Sequence, residues 1–269
     1  MRIPIPENTV SAPECVSSFE LIEPVARGAH GEVWRGRHAP SGTPVAVKLL
    51  ERTRSDFERE AAAIARMDHP HIVPILDMGR WLRAGREQSY LVLPWAPAGT
   101  LADVRSCEVA GLARQLLDAL AHAHARGVVH LDLKPRNVLV HEGAPWLTDF
   151  SIARIDDHPT ERLRGTPAYM APEQFTGLDV GPWTDRYGLG CLLYELLAGR
   201  PPFRGPDTEA FAYQHRVEPP PPLPPHVPVS LASVVFRLLS VEVPDPNRFR
   251  KGGFLFGTHF PPDLHAHFM

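Results

Sequence analysis

Residues capable of acid–base and metal chemistry are concentrated in the segment 130–137, which reads HLDLKPRN. Asp132 and Asn137 are five positions apart, with Lys134 between them. On a tight loop, an aspartate and an asparagine at this spacing can direct a carboxylate at a substrate hydroxyl group and an amide oxygen at a metal ion. Asp149 follows twelve residues after Asn137 and adds a second oxygen ligand for a metal.

A second group of candidates lies within the first fifty residues. The segment 26–33 reads ARGAHGEV, in which Gly28 and Gly31 allow backbone N–H groups to approach phosphate oxygens closely. The same pattern on its own also suits a glycine-rich hairpin turn. Lys48 ends a β-branched run, where strand alternation places it on the same face as Ala46.

A helix is predicted over residues 56–67, which are rich in alanine, with Ser55 and Glu58 as a capping box. Phe57 and Ile64 lie on the apolar stripe of this helix, together with Glu60 or Ala61. Because a carboxylate in a buried stripe needs a partner, we expect Glu60 to pair with Lys48, the nearest strand lysine in sequence.

The remaining elements must position these side chains. The sequence predicts a strand over 91–93 and helices over 109–126, 189–197 and 231–240. Residues 218–228 contain seven prolines, which are interpreted as a rigid connection between helices or as a polyproline ligand for a partner domain.

Composition excludes several protein classes. With 269 residues, a net charge of −3 and a pI near 6.5, the chain has no broad basic surface for nucleic acid. It contains no apolar run of the roughly 18 residues that a membrane span requires, and the N-terminus lacks the apolar core of a signal peptide. The three cysteines have neither disulfide nor zinc spacing, and we therefore expect a cytoplasmic protein.

The order of the motifs carries more information than any one of them. The motifs follow one another in this order: a glycine loop, a strand lysine, a helix glutamate, an Asp/Asn loop, Asp149, a Gly-Thr-Pro segment at 165–167 and an Ala-Pro-Glu segment at 171–173. In this order the chain resembles the catalytic domain of bacterial eukaryotic-like (Hanks-type) serine/threonine protein kinases, from about residue 19 to residue 248.

The resemblance implies an α+β fold of the bilobal protein-kinase type, with a small β-rich N-lobe that includes one helix and a larger, mainly α-helical C-lobe. The expected organisation is a loose leader at 1–18, a kinase domain at 19–250 and an atypical tail at 251–269. Within the domain we expect the N-lobe at about 19–93, the hinge at 94–99 and the C-lobe at 100–250.

The resemblance also implies a role for each matching residue in ATP-dependent phosphorylation of Ser/Thr hydroxyls on a protein substrate. Asp132 is the base or orienter, Lys134 steadies the γ-phosphate, and Thr166 hydrogen-bonds the catalytic aspartate. Asn137 and Asp149 hold Mg²⁺. The residues implied to contact ATP are Val25, Gly28, Gly31, Val33, Ala46, Lys48, Pro94, Ala96 and Leu139. The motifs do not specify the acceptor protein or the oligomeric state.

The chain departs from the family pattern at three positions: Ala26 replaces the first loop glycine, Ser151 replaces the glycine after Asp149-Phe150, and Leu131 replaces an arginine that normally receives an activation-loop phosphate. We therefore expect activity without phosphorylation at Ser151 or Thr160. The alternative function is a kinase-like nucleotide-binding scaffold without phosphoryl transfer. A dinucleotide-binding oxidoreductase is disfavoured because strands, rather than an alternating βαβ pattern, follow the glycine loop.

Overall fold

Residues in the first part of the chain form a six-stranded antiparallel sheet with the strand order β1-β2-β3-β4-β6-β5. The strands are β1 (Cys15–Val16), β2 (Phe19–Gly28), β3 (Gly31–His38), β4 (Pro44–Leu50), β5 (Asp77–Arg83) and β6 (Arg86–Pro94).

Side chains alternate across β4 as its sequence predicts. Val45, Val47 and Leu49 are buried in an apolar cluster, whereas Ala46 and Lys48 are half-buried on the opposite face. The cluster also contains residues of the neighbouring strands, and Trp34 and Trp81 pack against it. One face of the sheet is therefore a core, which leaves the other face to carry polar groups.

This computed structural model describes residues 14–28, 31–50, 54–83, 85–104, 107–156 and 165–240. The described residues belong to two compact units. The first lies within Met1–Arg54 and Ile75–Trp95 and contains the six-stranded sheet. The second lies within Ser55–Pro74 and Ala96–Met269.

The second unit is mainly helical. Its helices are α1 (Arg54–Ala65, from Ser55 onward), α2 (Val109–His124), α3 (Pro172–Thr176), α4 (Pro182–Ala198), α5 (Thr208–Val217) and α6 (Val229–Leu239). It also contains two small antiparallel pairs, formed by β7 (Val128–Val129) with β10 (Arg154–Ile155) and by β8 (Val138–His141) with β9 (Ala144–Leu147).

The predicted helices of this unit are present with different ends. Helix α2 begins where predicted, because the Glu108 carboxylate accepts hydrogen bonds from the backbone N–H groups of Ala110 and Gly111 at 3.0 and 2.5 Å. Helix α4 begins at Pro182, well before the predicted residue 189. The prediction missed the first turns because they contain polar residues, which interrupt the apolar pattern in the sequence. Those turns contain Asp185, which matters for the site below.

Two expectations about the N-terminal region differ from the structure. The leader is not loose at its end: β1 pairs with β2, and Val16 is buried in the sheet core. Helix α1 begins at Arg54, and the capping box predicted for Ser55 and Glu58 stays a prediction, because the side chain of Ser55 lies outside what the structure describes. The helix also groups with the second unit rather than with the sheet, since the chain after it is tied to β9 by hydrogen bonds between Val73 N and Leu147 O (3.0 Å) and between Leu147 N and His71 O (2.8 Å).

Helix α5 was not predicted, because its residues alternate polar and apolar types without a clear stripe. A cap was readable at its start, where the Asp207 carboxylate accepts a hydrogen bond from Ala210 N at 2.9 Å. The proline-rich segment 218–228 joins α5 to α6 without regular secondary structure, as expected of a rigid connection. The atypical tail predicted at 251–269 lies outside the described residues.

Candidate active site

The Asp132 carboxylate is surrounded by polar groups from three parts of the second unit. Lys134 Nζ donates to Asp132 Oδ2 at 2.5 Å, and the Thr166 hydroxyl donates to Asp132 Oδ1 at 2.8 Å. Lys134 Nζ also lies 2.8 Å from Thr166 Oγ1. The predicted hydrogen bond between Thr166 and Asp132 is therefore present, and the lysine completes a closed triangle around an almost buried carboxylate.

Asn137 connects the two ends of the same loop. Its side-chain Nδ2 donates to the Asp132 carbonyl at 2.8 Å and to Asp132 Oδ2 at 3.0 Å. Because the amide nitrogen is used in these bonds, the amide is fixed with its oxygen as the remaining acceptor. A single 3₁₀ turn at Pro135–Asn137 makes this return possible within a few residues.

Asp185 of α4 anchors the backbone of this loop. Its carboxylate accepts hydrogen bonds from His130 N and Leu131 N, both at 2.8 Å, and lies 2.8 Å from His124 Nε2 of α2. The anchor allows Leu131 to adopt a φ of +69°, a left-handed conformation that is costly for a branched side chain. This strained turn precedes Asp132 directly and sets its direction.

The hydrogen bonds to Asp185 also determine its charge state. Complete burial opposes ionisation, yet the hydrogen bond with His124, the electrostatic interactions with His124 and His130 and the N–H of Leu131 lower the pKa of Asp185 below its usual value. The carboxylate is therefore charged, and both of its oxygens have hydrogen-bond partners within the second unit.

Asp149 lies at the end of the segment after β9, next to the Asn137 loop. Thr148 N donates to Asn137 O at 3.0 Å, and His130 Nε2 lies 2.9 Å from Thr148 O. Asp149 itself has a φ of +64°. The fully buried Phe150 ring packs on His130 with its centroid 4.6 Å away. These contacts link the Asp149 segment to the loop that carries Asp132.

The donor chemistry of Asn137 and Asp149 fits Mg²⁺, which prefers oxygen ligands and often uses one or two side chains together with phosphate and water. Among the described residues there is no group of three or more His, Cys, Asp or Glu side chains suited to a metal. A metal held by these two residues would complete its shell with water and with oxygens of a bound ligand such as the phosphates of a nucleotide.

The residues predicted to contact ATP lie partly on the sheet of the first unit. Pairing of β3 with β4 sets Val33 opposite Lys48, so both share a face with Ala46. Gly28 pairs with Gly31 at the hairpin end of β2 and β3. Val25 lies at a register shift in β2 and is exposed.

Gly31 can only be glycine. Its φ is +126°, and a Cβ at this position would lie 1.9 Å from the carbonyl oxygen of Leu49. The hairpin backbone is therefore pressed against β4, as expected of a segment whose N–H groups must stay accessible to an anion.

Pro94 ends β6 and pairs with Val45, while Ala96 begins the second unit's part of the chain. After Ala96 the backbone bonds to β8 through Leu101 N to Val138 O (2.8 Å) and Val140 N to Gly99 O (2.9 Å). These bonds place Leu139 beside the segment that follows the predicted hinge.

Glu60 lies on α1 with its side chain buried, and Lys48 is half-buried on β4. They belong to different units, and their pairing stays a prediction.

The family model for the protein kinase domain matches residues 19–243. The chain belongs to the protein kinase family. It has the family's fold, a β-rich N-terminal sheet followed by a helical C-terminal region, as the resemblance implied.

Curated relatives are bacterial serine/threonine kinases. The chain is 37% identical over 244 residues to the DNA damage-responsive serine/threonine-protein kinase RqkA of Deinococcus radiodurans, a match that covers 82% of this chain and 36% of that protein. It is 40% identical over 256 residues to PkaA of Streptomyces coelicolor, covering 83% and 46% of the two chains. It is 35% identical over 255 residues to PknA of Mycobacterium tuberculosis, covering 87% and 59%. The chain spans only about a third to three fifths of the length of these relatives.

The position that usually carries an arginine in this family is part of an apolar cluster here. Leu131 is buried against Val129 and Val180, and Ile152 packs on the same cluster. Ser151 is also buried, with 1% of its surface exposed, whereas Thr160 lies outside the described residues. Where the family pattern has an arginine that binds a phosphate, this chain therefore has hydrophobic contacts around Leu131.

The resemblance implies a pair between Glu173 of the Ala-Pro-Glu segment and Arg248, and Arg248 lies outside the described residues. Among those described, the Thr184 hydroxyl donates to Glu173 Oε1 at 2.6 Å. Burial raises the pKa of Glu173 above its usual value, although the Thr184 hydrogen bond opposes this.

Sequence reasoning missed three contributors to the site. Gln174 Nε2 donates to the Leu131 carbonyl at 3.0 Å, His124 contacts Asp185, and the Tyr169 hydroxyl donates to Glu195 at 2.5 Å. Each joins residues far apart in the chain, so no local pattern reveals them. Only the position of Gln174 directly after the Ala-Pro-Glu segment could have drawn attention to it.

No helix among the described residues is long and apolar enough to cross a membrane. Cys15, Cys107 and Cys191, which all lie among the described residues, form no disulfide there, and Cys191 is the buried one.

Proposed function

We propose that this protein is a serine/threonine protein kinase that transfers the γ-phosphoryl group of Mg-ATP to a hydroxyl group on a protein substrate. The observation that carries the proposal is the Asp132 carboxylate, which is held by Lys134, Thr166 and Asn137 on a loop anchored by Asp185. A protein that only held nucleotide would have no use for a carboxylate fixed in this way.

In the proposed reaction the substrate oxygen attacks the γ-phosphorus, and the bond between that phosphorus and the oxygen of the leaving ADP breaks. The proton of the hydroxyl passes to Asp132, which orients the hydroxyl before attack. Lys134, already bonded to Asp132 and Thr166, supplies positive charge for the transferring group.

Asn137 and Asp149 are proposed as the magnesium ligands, and the bound ion would neutralise phosphate charge. Lys48 is proposed to bind the α- and β-phosphates, with Glu60 holding it. Gly28 and Gly31 would cover the phosphates. Four apolar side chains and two hinge backbone groups would form the adenine pocket: Val25, Val33, Ala46, Leu139, the Pro94 carbonyl and the Ala96 N–H.

The acceptor is proposed to be a serine or threonine, because Thr166 and Lys134 both contact Asp132 in the arrangement that the family uses for these hydroxyls. We also propose the cytoplasm as the compartment, since it supplies ATP and keeps thiols reduced, and none of the three described cysteines forms a disulfide.

The test is label transfer from Mg-ATP to a generic basic protein, followed by identification of the modified amino acid. Wild-type protein should form phosphoserine or phosphothreonine. Lys48→Met should reduce the transfer through loss of phosphate binding, whereas Asp132→Asn should reduce it with Mg-ATP affinity retained. Mg-ATP binding without transfer by the wild type would instead support a scaffold.

A further inference from the structure

A cation lies between two tryptophan rings in the first unit. The guanidinium carbon of Arg83 lies 5.2 Å from the ring centroid of Trp34 and 5.5 Å from that of Trp81. Both rings pack against the apolar core of the sheet. Because cation–π attraction is stronger where water is partly excluded, the two rings hold the guanidinium at a defined place.

The edge of the same guanidinium connects two carboxylates. Arg83 Nε and Nη2 donate to the two oxygens of Glu14 at 2.8 and 2.9 Å, and Nη1 donates to Glu32 Oε2 at 3.2 Å. Glu14 directly precedes β1, and Arg83 ends β5, so this fork joins the two edge strands of the sheet. A planar guanidinium can satisfy both carboxylates together, which an ammonium group cannot do with the same geometry.

Glu32 is the first residue after Gly31 on the return strand of the glycine hairpin. Its carboxylate accepts a hydrogen bond from Trp34 Nε1 at 2.9 Å and lies 3.5 Å from Arg27 Nη2 on the opposite strand. The Trp34 hydrogen bond is the main cause that lowers the pKa of Glu32, with Arg83 and Arg27 adding to it. The carboxylate is therefore charged, and 19% of its side chain is exposed.

We propose that Glu32 and Arg83 are positioning residues for nucleotide binding, because together they fix the hairpin that carries Gly28 and Gly31 against the sheet. This proposal rests on the proposed function, because Glu32 and Arg83 can affect nucleotide binding only if the hairpin binds the phosphates of ATP. A loop that is ordered before ligand arrives loses less conformational entropy on binding. Loss of the contact should therefore weaken ATP binding and leave phosphoryl transfer by the saturated enzyme unchanged.

The same strand offers a matched control. Arg80 is an exposed arginine of β5 that pairs with Glu87 across the β5–β6 hairpin at 3.2 Å and has no described contact with the glycine hairpin. Glu14→Gln is a second control: it removes the other carboxylate on Arg83 but leaves the bond between Arg83 and Glu32 available.

The experiment measures the Mg-ATP dissociation constant by calorimetry, together with kcat and the KM values for ATP and acceptor protein. The variants are Arg83→Met, Arg83→Lys, Glu32→Gln, Glu14→Gln and Arg80→Met. We expect Arg83→Met and Glu32→Gln to raise the dissociation constant and the KM for ATP about three- to tenfold. Their kcat and acceptor KM should stay within about twofold, and Arg83→Lys should show partial rescue.

Arg80→Met and Glu14→Gln should bind Mg-ATP like the wild type, even if Glu14→Gln lowers the melting temperature. If Arg83→Met fails to fold, Glu32→Gln tests the positioning role, because it removes the charge of the side chain and keeps its shape. If the wild type binds Mg-ATP and transfers phosphate, but Glu32→Gln binds Mg-ATP as tightly as Arg80→Met does, the positioning role alone is overturned. A wild type that binds no Mg-ATP would overturn the proposed function as well.

Discussion

Asp132 owes its direction to a residue more than fifty positions away in the sequence. Asp185 accepts two backbone N–H groups from the loop and contacts His124, so its carboxylate replaces the hydrogen bonds that a strained turn cannot make within itself. At the residue scale, the placement of the proposed catalytic carboxylate depends on a side chain that has no role in the proposed reaction itself.

Asp185→Asn should therefore damage both activity and stability. An amide can accept at only one atom, which leaves a buried N–H or the histidine unsatisfied. We expect the free energy of unfolding to fall by about 2–4 kcal/mol and kcat to fall at least about tenfold. Urea denaturation and single-turnover kinetics measure the two effects. Asp179→Asn, an exposed site nearby, is the control and should change neither.

At the element scale, the apolar cluster of Val129, Leu131, Val180 and Ile152 holds together segments on both sides of the undescribed residues 157–164. The family pattern that the sequence resembles has at the Leu131 position an arginine that receives an activation-loop phosphate. Hydrophobic contact requires no modification, so the position of these segments should not depend on phosphorylation.

Phosphatase-treated wild type and Thr160→Ala should thus keep kcat within about twofold of the untreated enzyme, because the cluster needs no charged partner. Mass spectrometry verifies the loss of phosphate, and the initial rate with a basic protein gives kcat. If folded, dephosphorylated protein lost turnover and renewed phosphorylation restored it, the hydrophobic cluster would not be sufficient to position these segments.

Elements with a clear period were predictable from the sequence, and those defined by distant contacts were not. The strand alternation at Ala46 and Lys48 and the start of α2 followed from local residues. The grouping of α1 with the second unit was missed, because it depends on hydrogen bonds between the 71–73 segment and Leu147. Likewise, the motif order indicated Asp132 and Thr166 as site residues, but it contained no sign of Gln174.

At the scale of the whole molecule, stability should depend on pH through a buried histidine. His215 of α5 is surrounded by the rings of Phe175, Phe203 and Phe211 and shares a 2.8 Å hydrogen bond with the Tyr187 hydroxyl. Burial lowers the pKa of His215 to about 4. In the unfolded chain a histidine takes up its proton near pH 6.5, so the unfolded state gains protons first as the pH falls.

The His215 contribution is therefore complete above about pH 6.5 and is lost as the pH falls toward about 4. Between pH 7.5 and pH 5 the wild type should lose about 2 kcal/mol more unfolding free energy than His215→Gln, which cannot titrate and can still accept from Tyr187. Denaturant unfolding of both proteins at the two pH values measures this difference. Parallel pH profiles would mean that His215 takes up its proton at the same pH in the folded and unfolded states, which would contradict a lowered pKa in the folded protein.

The most direct test of the account is the rate of label transfer from Mg-ATP to a basic protein by the wild type and by Asp132→Asn, measured at saturating Mg-ATP. If Asp132 receives the hydroxyl proton, the wild type should form phosphoserine or phosphothreonine. The variant should be slower by on the order of a hundredfold or more, with an unchanged Mg-ATP dissociation constant and melting temperature. Equal rates in the two proteins, or a wild type that binds Mg-ATP and transfers nothing, would contradict it.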